Sequence, residues 1–208
     1  MPLEHRRTID PQPNLLSTRF IVDKNHPWLK TLFKILQGDD IKNPHYLEGV
    51  TYPVYYEIGA ALKPKSILEI GVRFGYSLAS LSSGAGITTD VFGIDYESYA
   101  LNSVSIATKS LKSLDIKTNI IYGNSHHFDV EKSFGRKKFD LIHIDGDHTT
   151  NGALIDISKY SQYTNKILVD DVSDARVWHA VAAFVASKDD PISVTYIKSS
   201  TGFVLLEY

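Results

Sequence analysis

Carboxylates follow two short apolar runs in the second half of the chain, in a pattern that could hold a metal ion. The runs and their acids are Leu141–Ile144 with Asp145 and Asp147, and Ile167–Val169 with Asp170 and Asp171. Both runs have the length and composition of buried strands. If the two strands end side by side, the carboxylates repel one another unless protons or a cation lie between them. A hard divalent cation is the simplest partner for such a group of oxygens.

The segment between the two runs predicts how they are positioned. Its apolar residues recur at helical spacing, and Thr149 and Thr150 precede them as candidate N-caps. These apolar residues are Ala153, Leu154, Ile157 and Tyr160. Strand, helix and strand within about 30 residues form a βαβ unit, whose strands are parallel and end at the same edge of the sheet. Open α/β sheets bind ligands at that edge, so we expect the two acidic groups to meet in a binding site.

A second candidate site follows the first predicted strand, in the stretch LEIGVRFGYS. Gly71 permits a tight turn from strand to helix, and Gly75 lets the backbone approach a ligand at the helix N-terminus. This spacing lacks the three glycines of a dinucleotide fingerprint. Glu69 would repel a pyrophosphate and matches a cationic group instead. The predicted ligand is therefore a nucleoside with a cationic tail.

The next two predicted strands end in groups that suit a nucleoside. Asp95 ends the second strand, where its carboxylate can accept hydrogen bonds from both ribose hydroxyls. The third strand ends in Gly123, Asn124 and Ser125, whose polar groups suit the edge of an adenine. Together with the glycine turn, these residues predict a nucleoside site at the same edge of the sheet as the acidic groups.

Strand and helix patterns alternate regularly after Lys65, which predicts an α/β fold. The predicted strands are Ser66–Ile70, Val91–Ile94, Asn119–Tyr122, Leu141–Ile144, Ile167–Val169, Ser193–Ile197 and Phe203–Leu206. The predicted helices are Tyr76–Ser83, Tyr99–Ser113, His127–Phe134, Asn151–Tyr163 and Ala175–Ser187. The link between the last two strands is too short for a parallel crossover, so this pair is expected to be antiparallel.

The first part of the chain is predicted to precede this sheet. Residues 1–52 are assigned to an N-terminal arm and helical cap, and residues 53–208 to the main domain. Pro27 opens an apolar helix over Trp28–Leu36, which could support a homodimer, and Pro53 opens a second helix. These segments carry no readable specificity code.

Composition excludes several classes of partner. The 208 residues carry a net charge of −2 and no basic tract, so no nucleic-acid partner is expected, because phosphate binding needs clustered Lys and Arg. No apolar run reaches the length of a bilayer and the N-terminus has no signal-peptide core, so a cytoplasmic protein without membrane contact is expected. The chain has no cysteine, which excludes disulfides and thiolate chemistry.

The motifs LEIGVRFGYS, GIDYE, GNS, FDLIHIDGDH and ILVDD, in this order and spacing, resemble those of the class I S-adenosylmethionine-dependent methyltransferases. Within that class the chain is similar to the metal-dependent O-methyltransferases: the catechol and caffeoyl-coenzyme A enzymes, and the macrocin and cephalosporin-cluster types of antibiotic pathways. The resemblance covers residues 53–208. It implies a Rossmann-like seven-stranded sheet with an antiparallel last strand and helices on both faces.

The resemblance also implies roles for particular residues. It places the methionine tail of S-adenosylmethionine near Glu69, Gly71 and Ser77, with the ribose on Asp95 and the adenine near Asn124 and Ser125, and it places a magnesium-type ion on Asp145, Asp170 and Asp171. Catechol-type enzymes have an Asp-Asn pair after the fifth strand, whereas the antibiotic-pathway types have acidic pairs, as here. The catechol enzymes use a lysine as general base three residues after the first metal aspartate, a position that His148 fills in this chain. The base is therefore either His148 or a metal carboxylate such as Asp145.

The function predicted is O-methylation of a small-molecule hydroxyl in secondary metabolism, with S-adenosylmethionine and Mg²⁺. A metal-independent methyltransferase, a cofactor-binding protein of the same fold with another reaction, and a metal-dependent hydrolase stay open as alternatives. Each site residue also has a structural interpretation: Asp145 and Asp171 could cap helices, and Asp170 neighbours a residue that points the opposite way. His126 and His127 are interpreted as helix-start residues, and His143 as a partly buried histidine with satisfied hydrogen bonds.

Overall fold

The computed structural model describes residues 51–86, 88–96, 102–136 and 138–208. The predicted arm, the helix Trp28–Leu36 and the first three residues of the predicted helix Tyr99–Ser113 lie outside these residues. The domain boundary predicted near residue 53 therefore stays a prediction.

Seven strands form one mixed sheet within the described part of the chain. They are β1 Ser66–Ile70, β2 Asp90–Asp95, β3 Thr118–Tyr122, β4 Leu141–Ile144, β5 Lys166–Val169, β6 Ser193–Ile197 and β7 Phe203–Glu207. Their order across the sheet is β3-β2-β1-β4-β5-β7-β6, and β7 runs antiparallel to both of its neighbours. β4 and β5 pair in parallel, with Ile144 opposite Val169. The predicted Rossmann-like sheet with an antiparallel last strand is confirmed.

Six α-helices connect these strands in the same residues. They are α1 Thr51–Leu62, α2 Tyr76–Ala85, α3 Ser103–Ser113, α4 Val130–Phe134, α5 Thr150–Tyr160 and α6 Ala175–Ala186. Thr149 caps α5 as predicted, because its side chain accepts a hydrogen bond from the backbone N–H of Gly152. In none of these helices is there enough length and apolar surface to cross a bilayer.

The predicted helix His127–Phe134 is wrong in its first part. Residues Ser125–His127 form a single 3-10 turn, and Phe128 is extended before α4 begins. Asp129 explains the break, since its side chain accepts a hydrogen bond from the backbone N–H of Lys132 and so caps a new helix. The predicted helix Asn151–Tyr163 likewise ends as α5 at Tyr160 and continues as a 3-10 turn over Ser161–Tyr163.

Helices cover both faces of the sheet, as predicted, and each face has its own buried core. One core joins α1, α2 and α3 to the sheet through residues such as Val54, Leu78 and Leu111. The other joins α4, α5 and α6 to the opposite face, through residues such as Val130, Ile157 and Phe184. Because side chains alternate along a strand, Ile67 belongs to the first core and its neighbour Leu68 to the second.

Two glycines let α1 lie directly against α2. A Cβ added at Gly59 would lie 2.1 Å from the backbone oxygen of Leu81, and one added at Gly84 would lie 1.9 Å from that of Tyr56. Side chains other than hydrogen would therefore force the two helices apart. This contact brings the first turn of α1, including Tyr55, to the carboxyl edge of the sheet.

Candidate cofactor and metal site

A cleft of about 910 Å³ opens at the carboxyl edge of the parallel strands. Nine of the predicted site residues line it: Gly71, Ser77, Asp95, Asn124, Ser125, Asp145, His148, Asp170 and Asp171. Glu69 is fully buried and is not among the lining residues, and Gly75 lies at the N-terminus of α2. The two sites predicted from the sequence are thus two parts of one cleft.

The turn after β1 requires glycine at its first position. Gly71 has φ +89°, and a Cβ there would lie 2.0 Å from the backbone oxygen of Asp145. The loop after β4 therefore packs directly on the turn after β1. This close approach places Asp145 beside the nucleoside part of the cleft.

Glu69 lies beneath that turn at the end of β1. Its Oε1 accepts a hydrogen bond from the Ser77 hydroxyl at 2.5 Å and lies 2.7 Å from Nδ1 of His143. Burial raises the pKa of Glu69, although His143 and Ser77 oppose that rise. Its other oxygen, Oε2, is buried and has no hydrogen-bond partner among the described residues. A buried carboxylate oxygen without a donor is costly, which indicates a cationic or hydrogen-bonding group that completes it.

Asp95 faces the same cleft from the end of β2. Its Oδ2 accepts a hydrogen bond from the backbone N–H of Arg73, and its Oδ1 accepts one from the Ser103 hydroxyl at 3.3 Å. Asn124 follows β3 and accepts a hydrogen bond from the backbone N–H of His126 at 2.9 Å. These bonds hold the polar ends of β2 and β3 in place around the cleft.

Two carboxylates and an imidazole meet on the other side of the cleft. His148 Nε2 lies 3.3 Å from Asp145 Oδ1, and its Nδ1 lies 3.1 Å from Asp171 Oδ2. The hydrogen bond to Asp145, together with the charges of both carboxylates, raises the pKa of His148 to about 9 despite partial burial. One ligand atom from each of these three residues lies within 4.8 Å of the other two, so the group suits a divalent cation in both chemistry and spacing.

Asp170 points away from this group, as expected for neighbouring residues at a strand end. Its Oδ2 accepts a hydrogen bond from the Tyr55 hydroxyl at 2.5 Å, and its Oδ1 accepts bonds from the Thr201 hydroxyl and the backbone N–H of Asp171. Burial, followed by the charge of Asp145, raises the pKa of Asp170. The structure therefore joins Asp145 and Asp171 through His148, while Asp170 belongs to a neighbouring buried network.

That network links the two parts of the cleft. The Tyr55 hydroxyl donates a hydrogen bond to Asp170 and lies 3.1 Å from Nε2 of His143. Nδ1 of the same imidazole contacts the carboxylate of Glu69. Both ring nitrogens therefore act as donors, and although burial opposes the charge, the bond to Glu69 raises the pKa of His143. The prediction that His143 has satisfied hydrogen bonds is confirmed, and its burial is complete rather than partial.

Three other side chains with polar groups, Asp147, Trp178 and His179, have surroundings that indicate structural roles. Asp147 lines the cleft, but its carboxylate accepts a hydrogen bond from the backbone N–H of Thr149, which is a turn role. Trp178 packs against the core beneath α6, and neither Trp178 nor His179 lines the cleft.

A seven-stranded sheet in this order, with a glycine turn after β1 and acids at the ends of β2, β4 and β5, defines a class I methyltransferase fold. Residues 68–172, just over half of the chain, match the family described as "Methyltransferase domain", so the chain belongs to that family. The predicted class of enzyme is confirmed at this level. No curated protein matches the chain significantly.

Several solved structures share the fold at low sequence identity. An O-methyltransferase from Bacillus cereus in complex with S-adenosylhomocysteine is 19% identical, with a TM-score of 0.65 over 86% of this chain and 91% of that chain. The S-adenosylhomocysteine-bound methyltransferase PaMTH1 from Podospora anserina is also 19% identical, with a TM-score of 0.59 over 90% of this chain and 88% of that chain. The O-methyltransferase TomG from Streptomyces achromogenes, involved in tomaymycin synthesis and solved with S-adenosylmethionine, is 18% identical, with a TM-score of 0.58 over 76% and 78%.

Proposed function

We propose that the chain is an S-adenosylmethionine-dependent O-methyltransferase that uses a divalent cation such as Mg²⁺ and methylates a hydroxyl of a small molecule in secondary metabolism. One observation carries this proposal: a glycine-turn nucleoside site and a carboxylate–imidazole group share one cleft. A nucleoside site alone would fit many α/β proteins, and an acidic group alone would fit a hydrolase. Their juxtaposition suits transfer from a nucleoside cofactor to an oxygen nucleophile.

The nucleoside part of the cleft fits the cofactor. Glu69 has an unpartnered buried oxygen that an ammonium group would satisfy, with Ser77 beside it. Gly71 and Gly75, both at positive φ, form the turn beside the proposed ligand, and Asp95 would accept hydrogen bonds from the ribose. When bound, S-adenosylmethionine would supply an electrophilic methyl group.

The acidic part fits a cation. Asp145 and Asp171 would hold it, with Asp170 adjacent, and His148 lies between the two half-buried carboxylates. A bound divalent cation would lower the pKa of the acceptor hydroxyl and orient it. His148 would accept the hydroxyl proton only in its neutral form, which a bound cation would favour by offsetting the charges of the two carboxylates that raise its pKa. A carboxylate such as Asp145 is the other predicted base.

The pair Asp170 and Asp171 favours the antibiotic-pathway branch of the resemblance, and one fold neighbour, TomG, acts in tomaymycin synthesis. This is the basis for placing the acceptor in secondary metabolism. A cytoplasmic location, a homodimer, the absence of a nucleic-acid partner and the division into residues 1–52 and 53–208 are parts of the same proposal.

The test is isothermal titration with S-adenosylhomocysteine and then with Mg²⁺. The wild type is compared with the double variant Asp145→Ala, Asp171→Ala. Asp189→Ala with Asp190→Ala is the matched control, because it also removes two carboxylates but from exposed positions after α6. We expect micromolar nucleoside binding by all three proteins and loss of Mg²⁺ binding only in the site variant.

The alternatives give different results. If the wild type does not bind S-adenosylhomocysteine, the proposal fails and a metal-dependent hydrolase takes first place. Methyl transfer that survives a chelator identifies a metal-independent methyltransferase. Cofactor binding without transfer to any hydroxyl acceptor identifies a member of the fold with another reaction.

A further inference from the structure

A carboxylate on α5 lies buried without a hydrogen bond. Asp156 is fully buried, and neither of its side-chain oxygens has a hydrogen-bond partner of ordinary geometry in the part of the chain that the structure describes. The Ser125 side chain stabilises its charged form only in part. It shares the inward face of α5 with the apolar residues Ala153, Ile157 and Tyr160. A charged group in that position destabilises the folded state unless another charged or polar group pairs with it.

Asp156 lies directly behind the wall of the cleft. Its Oδ1 is 3.7 Å from Nε2 of His126, and a Cβ added to Gly146 would lie 3.3 Å from its Oδ2. Both His126 and Gly146 line the cleft, beside Asn124 and Ser125. The carboxylate therefore faces the back of the surface proposed to bind the base of the cofactor.

The turn that carries His126 is fixed to the same helix. Lys159 donates hydrogen bonds to the backbone oxygens of Ser125 and Phe128 at 2.6 and 2.7 Å, and the Tyr160 hydroxyl donates one to Ser125 at 2.9 Å. The backbone of His126 is held in turn by the Asn124 side chain. The imidazole and the carboxylate are thus held in register by rigid elements, as a preorganised site requires.

Burial disfavours the charged form of the Asp156 carboxylate. It raises the pKa of Asp156 to about 6, and the charge of Asp147 acts in the same direction, while Ser125, His126 and Lys159 oppose the rise. Near neutral pH the group is ionised and faces the imidazole. A neutral imidazole has one donor and one acceptor nitrogen, so an anion next to Nε2 favours the tautomer with its proton there and leaves Nδ1 as the acceptor.

We propose that Asp156 is a positioning residue that fixes the tautomer of His126, so that this imidazole accepts a hydrogen bond from the exocyclic amino group of the cofactor's purine base. This inference rests on the proposed function, because it assigns the base specificity of that same nucleoside site. A 6-amino purine offers a donor at this position, and a 6-oxo purine offers an acceptor that the imidazole would reject. The site is therefore built to select amino over oxo bases.

The experiment compares S-adenosylhomocysteine with its deaminated analogue, S-inosylhomocysteine, by isothermal titration. We expect the wild type to bind the amino base at least ~10-fold more tightly than the oxo base. A difference of this size corresponds to the loss of one hydrogen bond that leaves a polar group unpaired. Asp156→Asn and His126→Phe should each reduce that ratio to between one and three. His127→Phe is the matched control, because the neighbouring His127 is exposed and should leave the ratio unchanged.

A second readout separates positioning from general damage. The ¹⁵N shifts of the His126 ring should report a proton on Nε2 in the wild type and a mixture of tautomers in Asp156→Asn, with the His127 shifts unchanged. If both variants bind S-adenosylhomocysteine with the wild-type preference, or if the wild type prefers the oxo base, the inference is overturned while the proposed function stands. If the wild type binds neither nucleoside, the proposed function itself fails.

Discussion

Three carboxylates beneath the cleft are buried, and the structure satisfies each of them differently. Glu69 has donors on one oxygen only, Asp170 has donors on both, and Asp156 has none among the described residues. Burial is the first cause of a raised pKa in all three. The number of donors determines what each group still needs, and therefore which of them depend on a ligand.

Asp156 gives the residue-scale prediction, a pH dependence of stability. Its pKa is about 6 in the folded chain against an ordinary value of 3.8. Between these two pH values the carboxyl group keeps its proton in the folded state and has lost it in the unfolded state. The free energy of unfolding must then fall as pH rises from about 4 to 7. We expect Asp156→Asn to be more stable than the wild type by about 3 kcal/mol at neutral pH, and by about half of that at pH 5.

Urea denaturation of both proteins at pH 5 and 7.5 checks this difference. Asp189→Asn is the control, because the same change at an exposed carboxylate should have almost no effect. Equal stabilities of wild type and Asp156→Asn at both pH values would show that the buried carboxylate is compensated. A variant that is more stable yet binds the cofactor less selectively would be typical of a residue kept for function.

At the scale of single elements, the strands and the apolar face of α5 were predictable, and one buried acid on that face was not. The apolar runs at Leu141–Ile144 and Ile167–Val169 end in acids, and that contrast marks both the strands and the site. Asp156 was missed even though its spacing from Ala153, Ile157 and Tyr160 places it on the buried face of α5. An acid within an apolar helical stripe is the signal that could have identified it.

The contact between α1 and α2 gives the element-scale prediction. In a helix interior, Gly→Ala normally stabilises by roughly 0.5–1 kcal/mol. Gly59→Ala should instead destabilise, because its Cβ would lie 2.1 Å from the backbone oxygen of Leu81, and moving α1 would also displace Tyr55 from Asp170. We expect a loss of at least about 2 kcal/mol in the free energy of unfolding, in line with overpacking.

Ala61→Gly is the matched control, because Ala61 is exposed on the same helix and the change reports helix propensity alone. It should cost at most about 1 kcal/mol, because Ala61 lies in the last turn of α1, where helix propensity has a smaller effect than in the interior. In urea denaturation, both variants should therefore be less stable than the wild type, even though one adds a methyl group to α1 and the other removes one. A stabilised Gly59→Ala would mean that α1 does not pack closely on α2.

At the scale of the whole molecule, the pairings that complete the site join residues that are far apart in sequence. Glu69 meets His143 across 74 residues, and Tyr55 meets Asp170 across 115. The strands themselves and the edge at which the parallel strands end follow from local patterns, so the sequence could predict which residues share the cleft. It could not predict which side chains bond to each other, because that depends on strand order and on helix packing, neither of which has a local signal.

The same long-range organisation predicts how ligands stabilise the protein. A ligand that binds only the folded state at 100 times its dissociation constant adds about 2.7 kcal/mol. For a chain of this size that corresponds to a rise of about 5–10 °C in Tm. We expect S-adenosylhomocysteine to produce such a rise, and adenosine at the same concentration to produce a much smaller one, because it lacks the ammonium group proposed to meet Glu69.

Glu69→Gln separates the contribution of that ammonium from the rest of the cofactor. The variant keeps the size of the side chain but removes its charge, so S-adenosylhomocysteine should bind roughly 10- to 100-fold more weakly, as for a lost hydrogen bond between charged groups. Its thermal shift should fall towards that of adenosine, while the adenosine shift itself should not change. Equal shifts from the two ligands in the wild type would mean that Glu69 does not bind the tail. The unpartnered oxygen of Glu69 would then need another donor, and the recognition of the cofactor would rest on the ribose and the base alone.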